Sequence, residues 1–293
     1  MMSGRKGRPA VNRRELSSTL NPRRIGSGRG RPVIAVHGAL SDQRIYLPLA
    51  TALGRHRPVI TYDQRYFGAR PWVDGGQGFS RRVHEDDLIG LVEALECGPV
   101  DLLAWSYGGD VAMHAILRRP ELFRAVVLFD PSIGAILRHV SGADAATAQF
   151  LAALRPAMDL LAAGQTQAAA KAFICGVTGR SETEIEAFGP LVSSIIADNA
   201  RTLAPFLKAL AGDHGAPLDP EAVGRLPIRS LILTGERSLL RYRMIAQWLG
   251  RRLPAARLIT VAGATHFGPW EQAKAIAELA ERFLRRFEGA IPD

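Results

Sequence analysis

The sequence is poor in cysteine, and its only two cysteines, Cys97 and Cys175, match no metal-binding or redox spacing. Two isolated thiols also give no disulfide framework of the kind that small secreted proteins use. We therefore expect reduced thiols in a cytoplasmic protein. Long apolar runs are missing as well, since none reaches the roughly 18 residues that a membrane-spanning helix requires. The sequence thus predicts a soluble protein without a membrane span.

Acidic residues are nearly absent from the first 31 positions, where Glu15 stands against nine basic side chains. This segment carries most of the formal net charge of +9, so residues 32–293 are close to neutral. We expect residues 1–31 to be a flexible basic extension, whose charge suits an acidic partner. Without interleaved aromatic residues or a recognition helix, nothing indicates specific nucleic-acid binding.

Short apolar runs recur between helical patterns along the rest of the chain. Their unbroken apolar character is typical of parallel strands that are buried on both faces. The runs cover residues 31–37, 57–62, 100–105, 125–129, 228–234 and 256–262, and helical patterns cover residues 80–96, 107–118, 242–252 and 269–287. The sequence therefore predicts an α/β fold with a doubly wound, mostly parallel sheet.

One connection is far longer than a crossover needs. About 95 residues follow the fourth predicted strand without a convincing strand of their own, whereas a crossover takes a dozen or more residues. We predict a core of residues 32–131 and 227–293, and a helical cap, or lid, of residues 132–226. Apolar cap residues that could face a pocket are Ile133, Ile136, Leu137, Phe150, Leu151, Phe173, Ile174 and Phe206.

The third predicted strand runs through Ala-Trp-Ser-Tyr-Gly at residues 104–108 directly into a helical pattern. A serine on such a sharp strand-to-helix turn requires small residues two before and two after it. Ala104 and Gly108 meet that requirement. We predict that Ser106 is a nucleophile, although a serine before a helix can also be a simple N-cap.

The loop after the first predicted strand reads His37-Gly38-Ala39-Leu40. Acyl transfer builds negative charge on a carbonyl oxygen, which preorganised backbone amides stabilise. In an enzyme with a nucleophile elbow, one amide follows the nucleophile and another comes from this earlier loop. We therefore assign the oxyanion hole to the amides of Tyr107 and Ala39.

A histidine, His266, follows the last predicted strand in Gly-Ala-Thr-His-Phe, residues 263–267. The general base of an elbow serine is expected near the C-terminus in this position. His37 lies in the first loop and shapes it. A solvated side chain is the simpler interpretation for the histidines in helical or cap contexts, which are His56, His84, His114, His139 and His214. We predict that His266 is the base.

With these motifs in this order, the chain from about residue 31 to residue 287 resembles the α/β-hydrolase superfamily. A further similarity is Asp-Gln-Arg-Tyr-Phe-Gly at residues 63–68, a turn common in that family. The resemblance implies a capped serine hydrolase with a Ser-His-acid triad. The superfamily is functionally broad, so the resemblance does not name a substrate.

The acid is where the sequence departs from the family pattern. Many relatives carry it after the seventh of eight standard strands, as Gly-x-x-Asp, but here the corresponding stretch has Ser238 in that place. Asp130 follows the sixth standard strand, where haloalkane dehalogenases and zearalenone lactonases carry their acid. Glu236 is the alternative acid, its longer side chain compensating for an early position. A site without an acid is the third alternative.

The sequence therefore favours a serine hydrolase (esterase or lactonase) of a small, fairly hydrophobic ester, acting through an acyl-enzyme. No metal, nucleotide or organic cofactor is needed for that chemistry. We expect Leu40, Trp105, Ile133 and Phe267 to contact substrate, in a monomer or homodimer. The alternatives are a cofactor-independent C–C hydrolase, lyase or dioxygenase, an acyltransferase, and a non-catalytic ligand-binding protein.

Overall fold

The computed structural model describes residues 18–211 and 218–287. Within them, seven strands form one sheet. They are β1 (Arg23–Ile25), β2 (Val33–Val36), β3 (Val59–Thr61), β4 (Val100–Trp105), β5 (Phe123–Phe129), β6 (Arg229–Gly235) and β7 (Ala256–Val261). The strand order is β1-β3-β2-β4-β5-β6-β7. β1 pairs antiparallel with β3, and every other pair is parallel. The predicted fold class and the six predicted strands are confirmed.

The first strand, β1, lies inside the segment that the sequence predicted to be a flexible extension. Leu20 is fully buried, and Gly26 packs so closely on the chain that an added Cβ would lie 2.2 Å from the Gly54 carbonyl oxygen. From residue 18 onward the expected extension is therefore part of the fold. Residues 1–17, which hold the rest of the predicted basic segment, lie outside the described residues.

In the described ranges, four core helices lie between successive strands and two follow the last strand. They are α1 (Leu47–Leu53), α2 (Arg81–Leu95), α3 (Tyr107–Arg118), α10 (Leu240–Arg252), α11 (Gly268–Glu271) and α12 (Ala273–Arg285). α1 packs on α12, α2 packs on α3, and α10 packs on β6 and β7. Because both faces of the central strands are covered in this way, β2, β4 and most of β5 are buried along their length. At the carboxyl edge of the sheet, loops follow the parallel strands.

The described residues between β5 and β6 form helices and no strand. They include α4 (Ala143–Ala162), α5 (Thr166–Thr178), α6 (Glu182–Glu186), α7 (Pro190–Asn199), α8 (Leu203–Ala211) and α9 (Pro220–Gly224). We call α4–α8 the helical insertion. Asn199 ties it to the core, because its amide donates to Asp42 (2.8 Å) and accepts from the Gly68 backbone amide (2.7 Å). Among the residues that the structure describes, no helix combines the length and apolarity of a transmembrane span.

Candidate active site

Ser106 lies between β4 and α3 in a strained backbone conformation, with φ 55° and ψ −123°. The turn is sharp because the helix starts immediately after it. A Cβ built on Gly108 would lie only 2.2 Å from the Val36 carbonyl oxygen, so the chain crossing there excludes any side chain. The small residue that the sequence pattern singled out is thus a steric requirement of the turn.

His266 contacts the serine directly. Its Nε2 lies 2.9 Å from Ser106 Oγ, and both side chains are almost fully buried. The loop that carries His266 is held by Trp105, whose indole N–H donates to the His266 carbonyl oxygen at 2.7 Å. Trp105 therefore joins the strand before the serine to the loop after the last strand.

Asp130 completes the hydrogen-bonded chain. It follows β5 in a left-handed conformation (φ 41°), is fully buried, and places Oδ2 3.2 Å from His266 Nδ1. Its other contacts come from β6 and the residues after it: the Thr234 hydroxyl donates to Oδ1 at 2.6 Å, and the Ser238 hydroxyl donates to Oδ2. These hydroxyl donors fix the orientation of the buried carboxyl group.

Glu236, the alternative acid, points elsewhere. Its side chain is exposed, and its carboxylate accepts from the Gly263 backbone amide at 2.8 Å. The structure therefore brings Asp130, and not Glu236, to His266. The serine found in place of the usual acid, Ser238, instead holds the Asp130 carboxylate. Ser238 could be seen in the sequence in place of the usual acid, but its contact with Asp130 depends on the register in which β5 pairs with β6.

The predicted oxyanion loop lies against the serine. A Cβ on Gly38 would be 3.0 Å from Ser106 Cβ, so the loop approaches Ser106 as closely as glycine allows. Tyr107 is the first residue of α3, and an amide at that position has no acceptor within its own helix. His37 shapes the loop: it donates to the Gly38 carbonyl oxygen and accepts from a backbone amide, and burial lowers its pKa.

The side chain of Tyr107 reaches away from this chemistry. Its hydroxyl lies 2.7 Å from Nδ1 of the fully buried His84, whose Nε2–H donates to the Arg65 carbonyl oxygen. Burial lowers the pKa of His84 to about 3, so this histidine is neutral. The sequence interpretation of His84 as a solvated helical residue is corrected here: it joins α2 to the serine turn.

A tyrosine that sequence reasoning missed stacks on the histidine. The Tyr242 and His266 rings lie 3.8 Å apart between centroids and only 8° from parallel. Tyr242 is the third residue of α10, and its pattern in the sequence is that of any core-facing helical aromatic. Only the packing of α10 on β6 and β7 brings its ring against that of His266.

Ser106 and His266 open into a cavity of about 640 Å³ between the sheet edge and the helical insertion. Of the residues predicted to face substrate, Trp105, Phe267 and the oxyanion-loop residue Ala39 line it. The lining cap residues that the sequence suggested are Phe150, Leu151, Phe173, Ile174 and Phe206. The wall is mostly apolar, as expected for a hydrophobic ligand.

Leu40 and Ile133 require a correction. Both were expected to contact substrate, but each is only 1% exposed and packs in the hydrophobic core, and neither lines the cavity. Leu40 adopts a left-handed conformation (φ 49°) that turns its side chain into the core. Ile136 and Leu137 are also core residues. Proximity in sequence to a site residue was a poor guide because the loops turn sharply there.

No group of three or more metal-ligating side chains occurs within residues 18–211 and 218–287. The charged side chains that line the cavity are three arginines and Asp110, beside the Ser-His-Asp chain. A hydroxyl, an imidazole and a carboxylate in this order can activate the hydroxyl as a nucleophile.

The mostly parallel sheet, the turn at Ser106 and the hydrogen bonds that link Ser106, His266 and Asp130 are together typical of a hydrolase. The model of the alpha/beta hydrolase family matches residues 33–279, which is most of the chain. The chain therefore belongs to the alpha/beta hydrolase family, as its motifs indicated.

Two curated relatives and one solved structure are similar to this chain. The chain is 29% identical over 150 residues to 2-hydroxymuconate semialdehyde hydrolase of Pseudomonas sp. (strain CF600), covering 49% of the chain and 51% of that protein. It is 30% identical over 135 residues to lipase LipV of Mycobacterium tuberculosis, covering 45% and 50%. The chain thus spans about half the length of these curated relatives. In structure, it is similar to Est816, described as an N-acyl homoserine lactone degrading enzyme, with a TM-score of 0.67, 20% identity, and coverage of 92% and 96%.

Proposed function

We propose that the protein hydrolyses a small, largely apolar carboxylic ester or lactone through an acyl-enzyme. The observation that carries the proposal is the unbroken hydrogen-bonded chain from Ser106 through His266 to Asp130, opening into an apolar cavity. Support also comes from relatives named as a lipase and as a lactone-degrading enzyme. The cavity of about 640 Å³ suits a ligand of modest size.

In the proposed mechanism, Ser106 Oγ attacks the ester carbonyl while His266 Nε2 accepts its proton. Asp130 holds the imidazole in the tautomer whose Nδ1 carries a proton, and stabilises the imidazolium that forms. The amides of Ala39 and Tyr107 donate to the developing oxyanion. His266 then protonates the leaving alcohol, and afterwards takes a proton from water, which attacks the acyl-enzyme and releases the acid.

The identity of the nucleophile narrows the reaction. An aspartate at this turn would form an alkyl ester with a halide or epoxide carbon, whereas a serine forms an acyl ester from an activated carbonyl. Ser106 therefore favours acyl substrates over haloalkanes and epoxides. All the steps above use groups of this chain and water alone.

C–C bond hydrolysis is the second candidate. It is favoured by the match to 2-hydroxymuconate semialdehyde hydrolase, which aligns over 150 residues of this chain. A Ser-His pair beside an oxyanion hole can also support cleavage next to a ketone carbonyl. The two candidates differ in their products: an ester gives an alcohol and an acid, and a C–C substrate gives two carbon fragments without an alcohol.

The proposal is tested with a panel of p-nitrophenyl esters and lactones, measured for the wild type and Ser106→Ala. We expect turnover by the wild type, a burst of p-nitrophenol as the acyl-enzyme forms, and loss of both in Ser106→Ala. Product analysis by mass spectrometry assigns the bond that is cleaved. Turnover that survives in Ser106→Ala, or saturable binding of esters without any product, would contradict the proposal.

A further inference from the structure

Arg241 is a buried cation in the wall of the cavity. It is the second residue of α10, only 9% of its surface is exposed, and it lines the same cavity as Ser106 and His266. The residue that follows it, Tyr242, is the one stacked on His266. The guanidinium and the reacting groups therefore share one wall.

The contacts of Arg241 are aromatic and not acidic. Its guanidinium carbon lies 3.9 Å from the centroid of the Phe150 ring and 5.7 Å from that of Tyr242. Nε is buried without a hydrogen-bond partner, and no carboxylate in the described part of the chain forms an ion pair with Arg241. The Tyr242 phenol also interacts with the guanidinium, but burial raises the pKa of this phenol and keeps it neutral, so it supplies no negative charge.

Other buried arginines of the chain are neutralised. Arg81, which also lines the cavity, lies 2.9 Å from Glu85 and 3.7 Å from Asp110. Arg57 lies 2.6 Å from Glu281. Arg241 differs from these two arginines because its buried guanidinium has no carboxylate partner among the described residues.

A buried charge without a counter-charge costs free energy, and burial lowers the pKa of Arg241 accordingly. Arginine nevertheless stays protonated under ordinary conditions, so the cation persists. An anion that entered the cavity would offset the free energy lost by burying this charge. A carboxylate fits best because its two oxygens match the guanidinium fork. The Phe150 ring contacts the guanidinium through a cation–π interaction, which does not neutralise its charge.

We infer that Arg241 binds a carboxylate of the substrate, so that the enzyme acts on esters or lactones whose apolar body ends in a carboxylate group. This inference rests on the proposed function and adds the substrate class. The apolar lining then contacts the body of the substrate, and Arg241 fixes one end of it relative to Ser106.

The test compares matched esters that differ only in charge. On the acyl side, mono-p-nitrophenyl glutarate is compared with its methyl ester; on the alcohol side, 4-butyryloxybenzoate is compared with its methyl ester. We expect the wild type to prefer the anionic member of at least one pair. Arg241→Met should lower kcat/KM for that anionic ester by about 10- to 100-fold, the range expected for losing a hydrogen bond to a charged group, and leave the neutral ester nearly unchanged.

Two further variants sharpen the result. Arg241→Lys keeps the charge but loses the fork, so it should recover part of the preference. Arg251→Met makes the same substitution at an exposed position of α10 and should behave like the wild type. Turnover of the neutral ester shows that Arg241→Met is folded. A wild type without a preference in either pair, or an equal loss on charged and neutral esters, would overturn the inference.

A binding measurement separates this inference from the proposed function. Calorimetry follows the monomethyl esters of succinate, glutarate and adipate binding to Ser106→Ala and to Ser106→Ala/Arg241→Met. Binding that depends on Arg241 supports the anion site even if the wild type hydrolyses no ester, in which case only the proposed function fails. Absent binding, or equal binding by the two variants, overturns the anion site whatever the turnover results are.

Discussion

Replacing Asp130 with asparagine removes one negative charge from the core of the site and almost nothing else. The side chain is fully buried, and its neighbours Thr234 and Ser238 carry hydroxyls that can donate to, or accept from, an amide. The variant should therefore fold with a similar melting temperature. What it loses is the carboxylate 3.2 Å from His266 Nδ1, which in the proposed mechanism stabilises the imidazolium during acyl transfer.

The expected loss is large. The equivalent substitution in serine proteases lowers kcat about 10⁴-fold because the histidine adopts the wrong tautomer. Ser238 and Thr234 do not prevent this, since the amide introduced by Asp130→Asn would still offer an N–H where His266 requires an acceptor. We expect kcat/KM for a p-nitrophenyl ester to fall about 10³- to 10⁴-fold, or roughly 4–5.5 kcal/mol at about 1.36 kcal/mol per tenfold.

The matched control is Glu236→Gln, which also removes one carboxylate near the end of β6. Its exposed side chain contacts the Gly263 amide and not His266, so kcat/KM should stay close to the wild-type value. Ser238→Asp in the Asp130→Asn background returns a carboxylate to the position that many relatives use, and should recover part of the activity. Equal losses in Asp130→Asn and Glu236→Gln would refute the assignment of the acid.

Three further predictions concern the residues around the site. Gly108→Ala should lower the free energy of unfolding, measured in urea, by about 3 kcal/mol because the added Cβ would clash with backbone oxygen atoms. The control is Gly224→Ala, where the added Cβ would have no neighbour closer than 3.8 Å, and this variant should unfold at the same urea concentration as the wild type. His84 is neutral in the fold with a pKa of about 3, but it titrates near 6.5 when unfolded, so the unfolded state gains protons as pH falls below that value. Between about pH 6 and 4, His84 should therefore lower the free energy of unfolding of the wild type by about 1.4 kcal/mol per pH unit, as measured by urea titration. This contribution should be absent from His84→Gln, and an equal dependence of the unfolding free energy on pH in both proteins would contradict the prediction. Tyr242→Leu should reduce kcat about tenfold by freeing the His266 ring, in line with the value of an aromatic pair; an unaltered kcat in a folded variant would assign Tyr242 to packing alone.

The motifs on the central strands could be predicted from the sequence because the turn chemistry is local. Ser106 lies between a buried strand and a helix that begins at Tyr107, as the sequence predicts. The Ala-x-Ser-x-Gly pattern is also local, although the atom that excludes a side chain at Gly108 is the distant Val36 carbonyl oxygen. Asp130 could also be predicted from the sequence, because functional side chains collect at the carboxyl ends of parallel strands.

The remaining features depend on contacts between distant segments. The support of Asp130 by Ser238 spans 108 positions, and the stacking of Tyr242 on His266 follows from how α10 packs on the sheet. Leu40 was misassigned for the same reason: its neighbours in sequence reach the site, but a positive φ directs its side chain into the core. β1 was missed because its three residues, two of them arginines, carry no apolar strand pattern.

The most direct measurement is active-site labelling of the full chain with a fluorophosphonate, followed by mass spectrometry of the modified peptide. The wild type should label with one adduct on Ser106, Ser106→Ala should not label, and Asp130→Asn should label far more slowly than Glu236→Gln. Failure of the folded wild type to label, or an adduct on any other residue, would contradict the assignment of Ser106 as the nucleophile that His266 and Asp130 activate.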